Sequence, residues 1–152
     1  GQERNIRSGT LNVPGIVGFA KAVEIAIDEM EAENKKYKKW TGTMLEKFSA
    51  VGGKLNGHLS NRLSHNLNIR FDGVQSKSII NTVSKKLAIS AGSACTSDLV
   101  EPSHVLLALG LSEDQAHNSI RIGCNRYNTD VEIDFAINEI LNALESIAKI
   151  RI

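Results

Sequence analysis

Apolar residues recur every three or four positions from Val13 through Ile16, Val17, Ala20, Val23, Ile27, Met30, Tyr37, Trp40, Met44, Leu45 and Phe48. That spacing describes one face of a long helix. Asn12 can cap its start, Pro14 fits a first turn where a missing N–H has no partner to lose, and Gly52 and Gly53 stop it. The polar run from Glu31 to Lys36 reads as a solvated part of the same helix. The period then changes to two: Leu67, Ile69 and Phe71 alternate with Asn66, Asn68 and Arg70, the pattern of a half-buried strand, which Asp72 and Gly73 turn. A short helix over Ser78 to Val83, a strand over Leu87 to Ser90 and a loop over Ala91 to Ser103 follow. Pro102 precedes a helical run, Val105 to Leu109, which Gly110 ends.

Ser112 and Gln115 have the spacing of a capping box, and Ser119 to Ile122 alternates again, which predicts another strand. Thr129 and Glu132 form a second capping box ahead of Ile133, Ile137, Ile140, Leu141, Leu144 and Ile147, a closing amphipathic helix. The order of elements predicts an α+β fold in which the two long helices pack on one face of a small sheet.

A length of 152 residues is that of one ordinary domain, able to bury roughly 70% of its unfolded surface. The hydrophobic fraction of 41% and the charged fraction of 23% are those of a globular protein. A net charge of +1 gives no broad electrostatic footprint for nucleic acid or anionic lipid, so neither partner is expected. The longest apolar run, Val105 to Leu111, falls far short of the twenty or so residues of a membrane span. Gly1 to Arg7 lacks the apolar core of a secretory signal, and two cysteines make no disulfide framework, so a reducing, cytoplasmic compartment is expected.

The segment Ser90 to Asp98 surrounds Cys95 with small and polar residues. A free cysteine is commonly an inert buried hydrophobe, but this company suits a loop that carries a reactive thiolate to a substrate. Cys124, beside the alternating isoleucines, fits a structural position at or just past a strand. Arg121 projects from the face of its strand opposite Ile120 and Ile122, where it is either a surface arginine or a guanidinium fork for a carboxylate. Arg7, Ser8, Gly9 and Thr10 place donors beside a glycine just ahead of a helix, a weak anion-site pattern. The histidines at 58, 65, 104 and 117 have no metal-ligand spacing with the two cysteines, so no metal is expected. A hydrolytic pair of Cys95 and His104 has no supporting signature.

Several segments are recognisable in order: Gln2 to Thr10, Leu55 to His58, Asn66 to Ile69, Ala91 to Ser97, Glu101 to Leu106, Ala108 to Leu111 and Ser119 to Ile122. Together they resemble the C-terminal part of a group I cysteine desulfurase of the NifS/IscS type, in the class V aminotransferase family. The resemblance implies the small C-terminal domain of a fold-type I, pyridoxal-phosphate-dependent enzyme that takes sulfur from L-cysteine and leaves L-alanine. By that resemblance Cys95 accepts the sulfur as a persulfide, Arg121 holds the substrate carboxylate, and Thr10 reaches the cofactor phosphate of the partner subunit. It also implies a homodimer in the complete enzyme and a sulfur-acceptor protein such as an iron–sulfur scaffold. Residues 1–12 are then a segment entering from a large domain, and residues 13–152 the small domain.

The family's Schiff-base lysine follows a Ser-x-His motif in that large domain, and no histidine here precedes a lysine. Pyridoxal phosphate and turnover are therefore not expected on this chain alone, and a large domain or second polypeptide is expected as partner. Asn125 stands where the family usually has glycine, and Ser64 where it often has proline. Because the sequence opens inside a motif, a fragment, a split-gene product or a shortened chain is expected. The alternative function is a non-catalytic persulfide carrier or scaffold-docking module, or an inactive fragment.

Overall fold

The computed structural model describes residues 3–91 and 101–150. The chain forms two compact units, one through Glu33 and one from Asn34 onward, with the boundary inside its first long helix.

The first unit consists of a short 3-10 turn, Glu3–Asn5, and residues 13–33 of helix α1, whose full extent is Val13–Ser49. The Asn12 carboxamide accepts the Gly15 N–H at 3.1 Å, the cap expected from the sequence. The apolar positions of this half do not enter a core: Val13, Ile16, Val17, Val23, Ile27 and Met30 are all exposed, as is Phe19. The helical spacing is present throughout α1, but burial of that face begins only at Tyr37.

In the second unit α1 continues through Tyr37, Trp40, Thr41, Met44 and Phe48, all buried at the three-and-four spacing. They pack on a four-stranded sheet with α2 (Ser76–Val83) and α5 (Asp130–Ile150). The strands are β1 (Gly53–Leu55), β2 (Asn66–Phe71), β3 (Ser90–Ala91) and β4 (Ser119–Gly123), in the order β1-β2-β4-β3 with every pair antiparallel. Alternation sends Leu67, Ile69 and Phe71 of β2 and Ile120 and Ile122 of β4 into one core with Ile79, Ile133, Ile137 and Ile140. This is the α+β arrangement expected, with its helices gathered on one apolar face of the sheet.

Two differences have local causes. The expected strand over Leu87 to Ser90 begins only at Ser90 and takes in Ala91, which was expected in the loop, because the Lys86 and Leu87 N–H groups are still engaged with the Val83 carbonyl at the end of α2. Strand β1 had no sequence signal beyond the two glycines that end α1. Gly52 turns the chain at φ +88°, and Gly53 pairs at once with Phe71.

Two short helices, α3 (His104–Ala108) and α4 (Glu113–His117), precede β4. The Ser112/Gln115 capping box is formed in both directions, and Glu132 and Thr129 cap α5 reciprocally at 2.8 and 3.3 Å. No helix among the described residues is long and apolar enough to cross a membrane.

Candidate functional site

The face of the sheet opposite the core is polar by construction. On β4, burying Ile120 and Ile122 turns Arg121 outward, where it is exposed. In register, Arg121 stands directly between Asn68 of β2 and Ser90 of β3, so the three residues share one face at the centre of the sheet. Among the described residues no hydrogen bond or ion pair engages the Arg121 guanidinium, which leaves its fork open to an anion.

Beside it lies a hydrogen-bonded network centred on Asn56. Asn56, just past β1 and buried, donates Nδ2 to Asn68 Oδ1 at 2.7 Å and to Ser119 Oγ at 2.9 Å. Its Oδ1 accepts from Arg70 Nη1 at 2.8 Å. Arg70 Nε in turn donates to Asp72 at 3.1 Å, and Asp72 also takes Lys54 Nζ at 2.6 Å. The hydrogen bond from Lys54 is the main cause that holds the Asp72 carboxyl below the ordinary aspartate range. The signal for this network was the polar half of the β2 alternation: once Arg121 is placed on the open face, Asn68 and Arg70 must share it.

Cys124 follows β4, donates its N–H to the His65 carbonyl at 2.8 Å and is buried, which pushes its thiol pKa up. A thiol so disfavoured as thiolate is structural, as expected for that position. Cys95, the expected nucleophile, lies outside the described residues. Thr10 belongs to the first unit and is exposed, after Gly9 at φ +95°, whose carbonyl accepts from Arg7 Nη1 at 2.9 Å.

The two departures from the family pattern are absorbed locally. Asn125 Oδ1 accepts the Tyr127 N–H at 2.8 Å, closing a turn that a glycine could not make with a side chain. Ser64 donates to Asn34 Oδ1 at 2.6 Å, and its carbonyl accepts from the Thr41 hydroxyl at 3.1 Å. Among the described residues no group of three or more His, Cys, Asp or Glu side chains is placed to hold a metal ion.

A lysine that forms an imine must present a neutral amine. Lys39, in a cleft of about 100 Å³ with Trp40, Thr43, Asp130, Ile133 and Asp134, is 2.9 Å from the Asp130 carboxylate. That hydrogen bond raises its pKa and holds it as ammonium. The cleft does not fit the cofactor's aldehyde.

The family model for aminotransferase class-V matches residues 1–135. The chain belongs to the class V aminotransferases. Within that family it is similar to cysteine desulfurase IscS of Rickettsia typhi (strain ATCC VR-144 / Wilmington), 44% identical over 154 residues that cover 99% of this chain and 37% of the relative. The same identity and coverage hold for cysteine desulfurase IscS of Rickettsia prowazekii (strain Madrid E). Among solved structures, a NifS-like protein superposes with a TM-score of 0.81 at 32% identity, covering 95% of this chain and 37% of the other. The X-ray structure of a NifS-like protein from Rickettsia africae ESF-5 gives 0.79 at 26% identity, with 95% and 38% covered. The chain thus spans 37% of the length of these two curated relatives.

Proposed function

We propose that this class V aminotransferase chain is the small-domain part of a cysteine desulfurase, which takes sulfur from L-cysteine, releases L-alanine and carries the sulfur as a persulfide on Cys95. The carrying observation is Arg121, open and flanked by Asn68 and Ser90 on the polar face of the sheet, in a chain 44% identical to proteins named for this activity. Residues 1–12 are read as a segment entering from a large domain, and residues 13–152 as the small domain. The exposed apolar positions of α1, Ile16, Val17, Phe19, Val23, Ile27 and Met30, support a further protein surface that covers them.

In the complete enzyme Arg121 grips the α-carboxylate of the substrate, and Thr10 donates to the cofactor phosphate of the partner subunit in a homodimer. Pyridoxal phosphate, held at its phosphate by Thr10, would supply the electron sink for this chemistry. The Cys95 thiolate forms a bond to the substrate sulfur as the bond from that sulfur to Cβ breaks. The electron pair of the broken bond leaves with the carbon fragment, which takes up a proton and departs as L-alanine. Cys95 then hands its outer sulfur to a thiol of an acceptor protein such as an iron–sulfur scaffold, in the cytoplasm.

Co-expression with a large-domain polypeptide that carries the family's lysine motif, followed by assay of alanine from L-cysteine, tests this reading. Alanine from the pair, and none from either polypeptide alone, is the expected result. A cofactor-loaded pair that leaves L-cysteine intact would overturn it.

A further inference from the structure

We infer that Asn68 is a second donor to the substrate carboxylate beside Arg121, and that a chain of hydrogen bonds starting at Arg70 fixes its carboxamide in the donating orientation. A guanidinium only donates, so the atom of Asn56 that lies 2.8 Å from Arg70 Nη1 must be Oδ1. That leaves Asn56 Nδ2 facing Asn68 and Ser119. Ser119 Oγ spends its proton on the Gln115 carbonyl at 2.7 Å, so it accepts from Asn56, consistent with the same orientation.

The atom of Asn68 that meets Asn56 Nδ2 at 2.7 Å must then be its acceptor, Oδ1. Asn68 Nδ2 is left with both protons, and it donates to no described residue. Asn68 and Arg121 are direct partners across β2 and β4, on the same face. An amide donor and an open guanidinium fork therefore lie side by side. Neither has an acceptor among the described residues, and a carboxylate offers acceptors to both. Arg70 is tied into the network instead, its Nη1 donating to Asn56 and its Nε to Asp72. Asn56 makes no claim on the substrate and is a positioning residue, acting through Asn68.

This inference rests on the proposed role of Arg121, and its test separates the two. The complete, cofactor-loaded protein is titrated calorimetrically with L-alanine, which carries the carboxylate and does not turn over. Asn68→Leu, which removes both donors, should weaken L-alanine by about tenfold, the scale of one hydrogen bond to a charged group. Its KM for L-cysteine should rise in step with that loss. A folded Asn68→Leu protein with wild-type affinity for L-alanine overturns the inference.

If that variant does not fold, Asn68→Asp keeps the shape and the acceptor for Asn56 but sets a negative charge opposite Arg121. It should lose about a hundredfold in L-alanine affinity. Wild-type affinity there overturns the inference as well. Arg121→Ala with undiminished affinity would instead overturn the role of Arg121 itself, and with it the reading on which Asn68 depends.

Discussion

The ring of Phe48, in the last turn of α1, meets the ring of Phe71, at the end of β2, edge to face with centroids 6.0 Å apart. Both are buried, and their contact fastens the helix to the strand that carries Asn68 and Arg70. Phe48→Ala should destabilise the protein by about 3–5 kcal/mol, because a fully enclosed ring leaves a cavity that the sheet cannot collapse into. Chemical denaturation measures this, and a loss below about 1 kcal/mol would mean the two elements are held by something else.

Gly53 lies beside that contact. A Cβ there would sit 2.7 Å from the Phe48 carbonyl oxygen and 2.9 Å from side-chain carbons of Ile69 and Phe71. The carbonyl belongs to the backbone and cannot swing away, so Gly53→Ala should cost on the order of 1–3 kcal/mol despite being a single methyl. Gly52→Ala meets no such atom but is strained by its φ of +88°. Denaturation midpoints of the two variants check this, and a Gly53→Ala protein as stable as wild type would contradict it.

Stability should fall on both sides of neutrality. The Asp130 carboxyl is held below the ordinary aspartate value, first by its hydrogen bond from Lys39 and next by the Trp40 indole N–H. Asp72 is lowered by Lys54, and Glu132 by the Thr129 N–H. A carboxyl whose folded pKa is depressed contributes fully above its unfolded value, about 4, and loses that contribution as pH falls through the folded one. Lys39 is raised, so its contribution is complete below about 10.4 and is lost as pH climbs through the raised value. Thermal melts across pH should therefore decline at both ends. In Asp130→Asn both declines should be shallower, and identical slopes in variant and wild type would contradict the pairing.

Arg121→Ala should weaken substrate binding by about 2 kcal/mol or more, the scale of a charge-assisted pair partly shielded from water. Because the side chain leaves the sheet on its exposed face, the melting temperature should hold. Undiminished affinity for L-cysteine in a folded variant would remove Arg121 from the site.

Much of this architecture was legible because burial writes a period into the chain. The alternation of Leu67, Ile69 and Phe71, and of Ile120 and Ile122, gave the strands and also the outward face of Arg121. The two Ser/Gln and Thr/Glu capping pairs gave the starts of α4 and α5. Periodicity alone could not say where along α1 a partner begins: Ile16 to Met30 and Tyr37 to Phe48 share one spacing and differ in burial. The Asn56 network was only partly legible: the β2 alternation puts Asn68 and Arg70 on the open face but says nothing of Asn56. It joins residues 12 to 63 positions apart, and only the register of β1, β2 and β4 brings them together.

The central claim is that Cys95 carries the sulfur, and persulfide mapping tests it most directly. The complete enzyme is incubated with L-cysteine, digested under non-reducing conditions and analysed by mass spectrometry, with Cys95→Ser beside it. One additional sulfur on the Cys95 peptide, absent in the variant, is the result expected. The buried Cys124 thiol should remain unmodified, since desolvation disfavours its thiolate. Sulfur on Cys124 with none on Cys95 would contradict the account.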